Sequence, residues 1–144
     1  MKKFRSFFSL PFAEKLLLGE SLFLVAFIGL ILRIVPFTFL KKSLAARLAA
    51  RAKQKPVNWK QINLIVRSVR SVSRFLPFAT CLPQALAAMF LMKSKGQNSE
   101  LKIGVAKDEK QNFKAHAWLE INGRIIIGKL PLHWQYKVLD SFSA

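Results

Sequence analysis

Asn122-Gly123 limits what this chain can become more than any other pair of its residues. The dipeptide favours the two-residue turn whose central positions both take positive φ, and that turn joins antiparallel strands. Ahead of it, Phe113, Ala115, Ala117, Leu119 and Ile121 alternate with Lys114, His116, Trp118 and Glu120, the period of a strand with one apolar face. Behind it, Arg124 to Gly128 carries Ile125, Ile126 and Ile127 and is predicted to return as the partner strand. Leu101, Ile103 and Val105 alternate as a further strand, closed by the polar turn 107–112. The carboxy-terminal third is therefore expected to form a small antiparallel sheet, with His116 opposite the apolar stripe.

The remainder reads as helix. Leu22 to Leu32 is an apolar run bounded by Glu20 and Arg33 and followed by Pro36. A membrane span needs about 20 predominantly apolar residues, which this stretch reaches only over 16–40, by taking in a carboxylate, a guanidinium and a proline. Three readings stay open for it: a helix buried against its neighbours, a helix lying at a membrane interface, and a span. Lys2, Lys3 and Arg5 resemble the start of a signal peptide, but no small-residue cleavage site follows. A second helix is expected over 38–52, with Lys41, Lys42, Arg47 and Arg51 beside Leu44 and Leu48, and a break at Gln54-Lys55-Pro56. Asn58 predicts the cap of a third helix, with Gln61 completing a capping box. Ile62, Ile65, Val66, Val69 and Val72 recur there at helical spacing, with Arg67, Arg70 and Arg74 on the other side.

Charge narrows the partners. The chain carries 24 Lys and Arg against 7 Asp and Glu, a formal +17, so it suits an anionic partner such as an acidic peptide, a protein surface or lipid headgroups. Residues 1–75 hold +13 of that charge and 76–144 only +4, which divides the chain into a basic helical region suited to docking and a second half expected to do something more exact. No zinc motif, RNA-binding aromatic motif or recognition-helix pattern accompanies the basic residues, which argues against nucleic acid. A lone cysteine excludes an internal disulfide and suits a reducing, cytoplasmic setting, with peripheral membrane contact through 16–40 as the added possibility.

That cysteine is placed for chemistry. Pro77 to Thr80 ends the preceding helix, Thr80 is expected as an N-cap, and Cys81 then opens a helix running to about Gly96, with Pro83 tolerated in its first turn. The first-turn N–H groups and the helix dipole stabilise negative charge on the sulfur and on a developing oxyanion. His116 supplies the matching base if its ring meets the thiol. Structural roles stay open for both: a small buried hydrophobe and a satisfied core histidine. Trp118 reads as packing over the site, and His133 as structural or exposed.

Three blocks taken together, Cys81 to Ala87, Leu101 to Ala106 and Phe113 to Gly123, resemble the stand-alone leader peptidases of lasso-peptide biosynthesis, cysteine hydrolases of the transglutaminase-like, papain-related kind. The resemblance implies an α+β fold in which a helical amino-terminal half packs on a transglutaminase-like core of cysteine helix and small antiparallel sheet. It implies a cysteine peptidase with Cys81 as nucleophile and His116 as base, needing no metal or cofactor. Its substrate would be a ribosomally made precursor peptide, delivered by a small leader-binding protein. Its product's exposed α-amine would pass to an ATP-dependent, asparagine-synthetase-like cyclase.

One position departs from the pattern. The resembled group orients its histidine with an Asp shortly after the hairpin, and that position falls near Gly128, which has no side chain. Glu120 is the candidate orienter, provided the strand twists or bulges; Asn122 reads as a turn residue and Asp140 as part of a tail. The gap keeps a second function in view, a non-enzymatic or inactive membrane-associated binding protein of a peptide-maturation complex.

Overall fold

A computed structural model describes residues 9–48, 55–131 and 135–143. Lys2, Lys3, Arg5, Arg51, Gln54, His133 and Trp134, on which some of these expectations fall, lie outside the described residues. Among the described residues, four helices, α1 (Phe12–Ile34), α2 (Phe37–Leu48), α3 (Trp59–Ser73) and α4 (Cys81–Ser94), precede strands β1 (Glu100–Lys107), β2 (Phe113–Ile121), β3 (Arg124–Ile127) and β4 (Lys137–Ser143).

α1 starts behind Pro11, carries Glu14 in its first turn and Arg33 in its last, and stops at Val35. Each end charge complements the dipole, and Pro36 keeps the residue before it extended. Ser21, Val25, Ile28 and Gly29 form its buried side. α3 buries all five of its predicted apolar positions, and Arg67, Arg70 and Arg74 face solvent.

The cap of α3 is half of what was expected. Asn58 Oδ1 accepts from the Gln61 N–H at 3.1 Å, but the reciprocal bond to the Asn58 N–H comes from Gln97 Oε1, at 2.9 Å. Gln97 also donates to the Pro56 carbonyl at 3.2 Å, and the Lys55 N–H donates to the Gly96 carbonyl. One buried glutamine thus fastens the entry of α3 to the exit of α4, a distant partner that local spacing does not reveal.

α4 is the central element, with Ala85 to Met89, Leu91 and Met92 buried; it packs on α1 and α3 and on β2. Thr80 holds the N-cap position with extended backbone, yet its hydroxyl caps nothing. Gln84 serves this end instead, its Nε2 donating to the Ala79 carbonyl at 2.6 Å and its N–H to the Thr80 carbonyl.

The sheet order is β3-β2-β1-β4, antiparallel throughout. Asn122 and Gly123 have φ of 50° and 76°, the turn that the dipeptide favours. Leu101, Ala117, Leu119, Ile121 and Ile127 join α4 in a core that continues to Val25 and Ile28 of α1. Residues 137–143, expected as a tail, form an edge strand on β1. Asp140 of that strand pairs with Lys41 of α2, and Phe142 meets Phe37 edge to face. The segment lacks a strict alternating pattern because its partners, not its own sequence, hold it in the sheet.

Candidate active site

Cys81 is half-buried at the first position of α4, against the core shared by the helices and the sheet. Its position follows from local chemistry: the turn after α3 resets the backbone at Thr80, and Pro83 fits a first turn whose N–H groups lack intrahelical partners anyway.

His116 sits midway along β2, opposite Gly104 of β1. Pairing between these strands runs without a shift from Glu100 to Lys107, so side-chain alternation is unbroken. Ala117 and Leu119 face the helices, and His116, Trp118 and Glu120 take the other face of β2. That face is polar in sequence but covered in three dimensions. The His116 ring lies 6.2 Å from that of Trp118, nearly parallel, and 5.5 Å from Tyr136. Trp118 and Tyr136 meet edge-on at 6.4 Å. Trp118 is only 2% exposed, which accords with its reading as packing.

The ring is oriented by the main chain. His116 Nε2 lies 2.6 Å from the Gly128 carbonyl oxygen. A carbonyl can only accept, so Nε2 carries the proton, and a neutral ring keeps its lone pair on Nδ1. Gly128, near which the resemblance led to the expectation of an Asp, accepts this bond through its main-chain carbonyl. The backbone comes this close because the residue has no side chain. A Cβ at Gly128 would stand 2.7 Å from the Ala117 carbonyl oxygen and 2.9 Å from Trp118 Cβ, and φ is +85°. Gly104 makes the complementary opening on β1, where a Cβ would meet Trp118 Cη2 at 2.8 Å.

Glu120 shares the face of His116, but both its oxygens are engaged elsewhere. Oε1 accepts from Trp118 Nε1 at 2.7 Å and Oε2 from Lys102 Nζ at 2.8 Å. The Glu120 hydrogen bond holds the Lys102 ammonium above the usual lysine range; burial opposes this, and the charges of Glu120 and Glu100 add to it. Glu120 therefore anchors the indole that supports the imidazole. Glu120→Gln retains an acceptor for Trp118 but loses the ion pair, and is expected to cost about 1 to 2 kcal/mol in urea unfolding. An unchanged midpoint would show that the part-buried pair contributes nothing.

Among the described residues no hydrogen bond joins Cys81 to His116, and His116 Nε2 bonds to the Gly128 carbonyl. Cys81 packs against the core cluster, and His116 is half-buried on β2. Asp140 is committed to Lys41, and Asn122 is an exposed turn residue. No group of three or more metal-ligating side chains occurs among the described residues. Sequence reasoning did not find the Gly128 carbonyl, because a main-chain acceptor has no residue-type signature; the available signal was a glycine closing a strand directly behind the hairpin.

A family model described as the transglutaminase-like superfamily matches residues 30–141, which takes in Cys81, His116 and Gly128. No curated protein and no solved structure gives a match.

Proposed function

This chain belongs to the transglutaminase-like superfamily, and from that premise we propose that it acts on the precursor peptide of a lasso-type maturation pathway, alongside a small leader-binding protein and an ATP-dependent cyclase. The support is the set of blocks around Cys81, Gly104 and His116 that resemble lasso leader peptidases, together with a +17 chain suited to an acidic peptide or carrier.

The described conformation favours a protein that holds the precursor without cutting it. One observation carries that preference: among the described residues no hydrogen bond joins the Cys81 thiol to the His116 imidazole, whose Nε2 is held by the Gly128 carbonyl. A precursor-holding member needs the fold and the charge, not an assembled pair.

A second reading, leader cleavage, is favoured by a different observation. Cys81 stands at a helix start, and the bond to Gly128 leaves His116 in the tautomer whose Nδ1 can accept a proton. Catalytic hydrogen bonds are often long or unformed before substrate binds. In this reading the ring moves within reach of the sulfur, Nδ1 takes the thiol proton, and Cys81 attacks the carbonyl at the leader–core junction. First-turn N–H groups of α4 hold the oxyanion, and His116 returns the proton to the leaving amine. Water then hydrolyses the thioester, giving a free leader carboxylate and the core peptide's α-amine.

Mass spectrometry of the precursor, incubated with its leader-binding protein and wild-type, Cys81→Ala or His116→Ala protein, decides between the two. Both readings expect all three proteins to capture the precursor in a pull-down. Capture with no cut by the wild type upholds the holding role. One defined cut, lost in both variants, replaces it with the peptidase. Neither capture nor a cut removes the precursor from the account altogether.

A further inference from the structure

α1 is apolar on both sides, and among the described residues only one side is covered. Ser21, Val25 and Ile28 are buried, where the helix packs on α3 and α4. On the outer side Phe12, Leu16, Phe23, Phe27, Leu30 and Ile34 are each between 51% and 81% exposed. At about 100° per residue these six fall within about 60° of one another, a single stripe about 33 Å long. Lys15 and Arg33 fall together on one flank of it, and Glu20 on the other. Isolated surface hydrophobes need no explanation, but a continuous stripe of this length marks an interaction surface.

We infer that this stripe is a docking face for an anionic lipid bilayer, with α1 lying in the interfacial plane. Charge selects the occupant. The chain carries +17, of which +13 lies in residues 1–75, so anionic headgroups attract it, whereas a second copy would bring another +17 to the same seam. Packing selects the orientation. α1 is long and apolar enough to cross a bilayer, but lipid on all sides would strip Val25 and Ile28 from the core they share with α3 and α4. Lying flat, the helix buries its outer stripe in lipid and keeps its inner side on the protein. This inference does not depend on whether Cys81 cuts a peptide.

The test is sedimentation of the full-length protein with vesicles. Phosphatidylcholine vesicles containing phosphatidylglycerol are expected to carry it down, more weakly at high salt, and pure phosphatidylcholine vesicles far less. Phe23→Ser/Phe27→Ser is expected to weaken binding at least about tenfold, and so is Leu16→Ser/Leu30→Ser. Phe113→Ser, at an exposed apolar site on β2, is expected to leave binding unchanged. The outer positions are exposed, so circular dichroism is expected to show all variants folded. Undiminished binding by both double variants would overturn the inference, as would a wild type that ignores anionic vesicles. A wild-type dimer that both double variants convert to monomer would assign the stripe to a second copy instead. Retention on the vesicles through alkaline carbonate would replace the interfacial helix with a span.

Discussion

Gly128→Asp is expected to destabilise the protein by about 2 to 4 kcal/mol, although it installs the carboxylate that the resembled peptidases carry. The strain comes from the Cβ, not from the charge. At φ +85° that atom would stand 2.7 Å from the Ala117 carbonyl oxygen, and two backbone segments cannot separate without breaking the end of the β2–β3 pairing. Gly128→Ala isolates the effect, since it adds the same Cβ and no carboxylate, and a similar loss is expected. The check is urea unfolding of both variants, with the His116 ring followed by NMR. The carbonyl bond fixes the proton on Nε2, and that tautomer is expected to lose its dominance in whatever fraction remains folded. A Gly128→Asp protein as stable as the wild type, with an unchanged imidazole spectrum, would show that the carbonyl bond is not what orients the ring.

Trp118→Ala carries the larger expected loss, about 3 to 5 kcal/mol. The indole fills the space left by Gly104, stacks with His116, meets Tyr136 and donates to Glu120. Its removal opens a cavity that strand backbones cannot collapse into, and leaves a buried carboxylate oxygen without its donor. Trp118→Phe separates the two contributions, because it restores most of the ring volume but no N–H. Its expected cost is about 1 to 3 kcal/mol. Thermal unfolding followed by near-ultraviolet circular dichroism measures both. Equal stability of Trp118→Ala and the wild type would show that the far face of the sheet is not packed as described.

The two variants together bear on what holds the His116 ring. A carboxylate and a carbonyl both accept from Nε2, but the carbonyl is neutral and cannot balance the charge of an imidazolium. It sets the tautomer and the direction of the ring.

Much of the architecture was legible in residues close together along the chain. The Asn122-Gly123 turn, the alternation before it, the Asn58 cap, the buried positions of α3 and the placement of Cys81 at a helix start all depend on dihedral preferences and bonds spanning a few residues. Local chemistry decides such features before any tertiary contact forms, so reading them needed only the sequence. What the sequence could not contain was which distant groups would meet. Gln97 completes the cap of α3 from beyond α4, 137–143 is a strand because β1 offers it an edge, and Glu120 turns to Trp118 and Lys102 while a glycine carbonyl orients His116. The outer side of α1 was ambiguous for the same reason, since hydrophobicity alone does not say which apolar face the other helices will cover. These outcomes depend on distances between segments far apart in the chain, and only the folded backbone sets those distances.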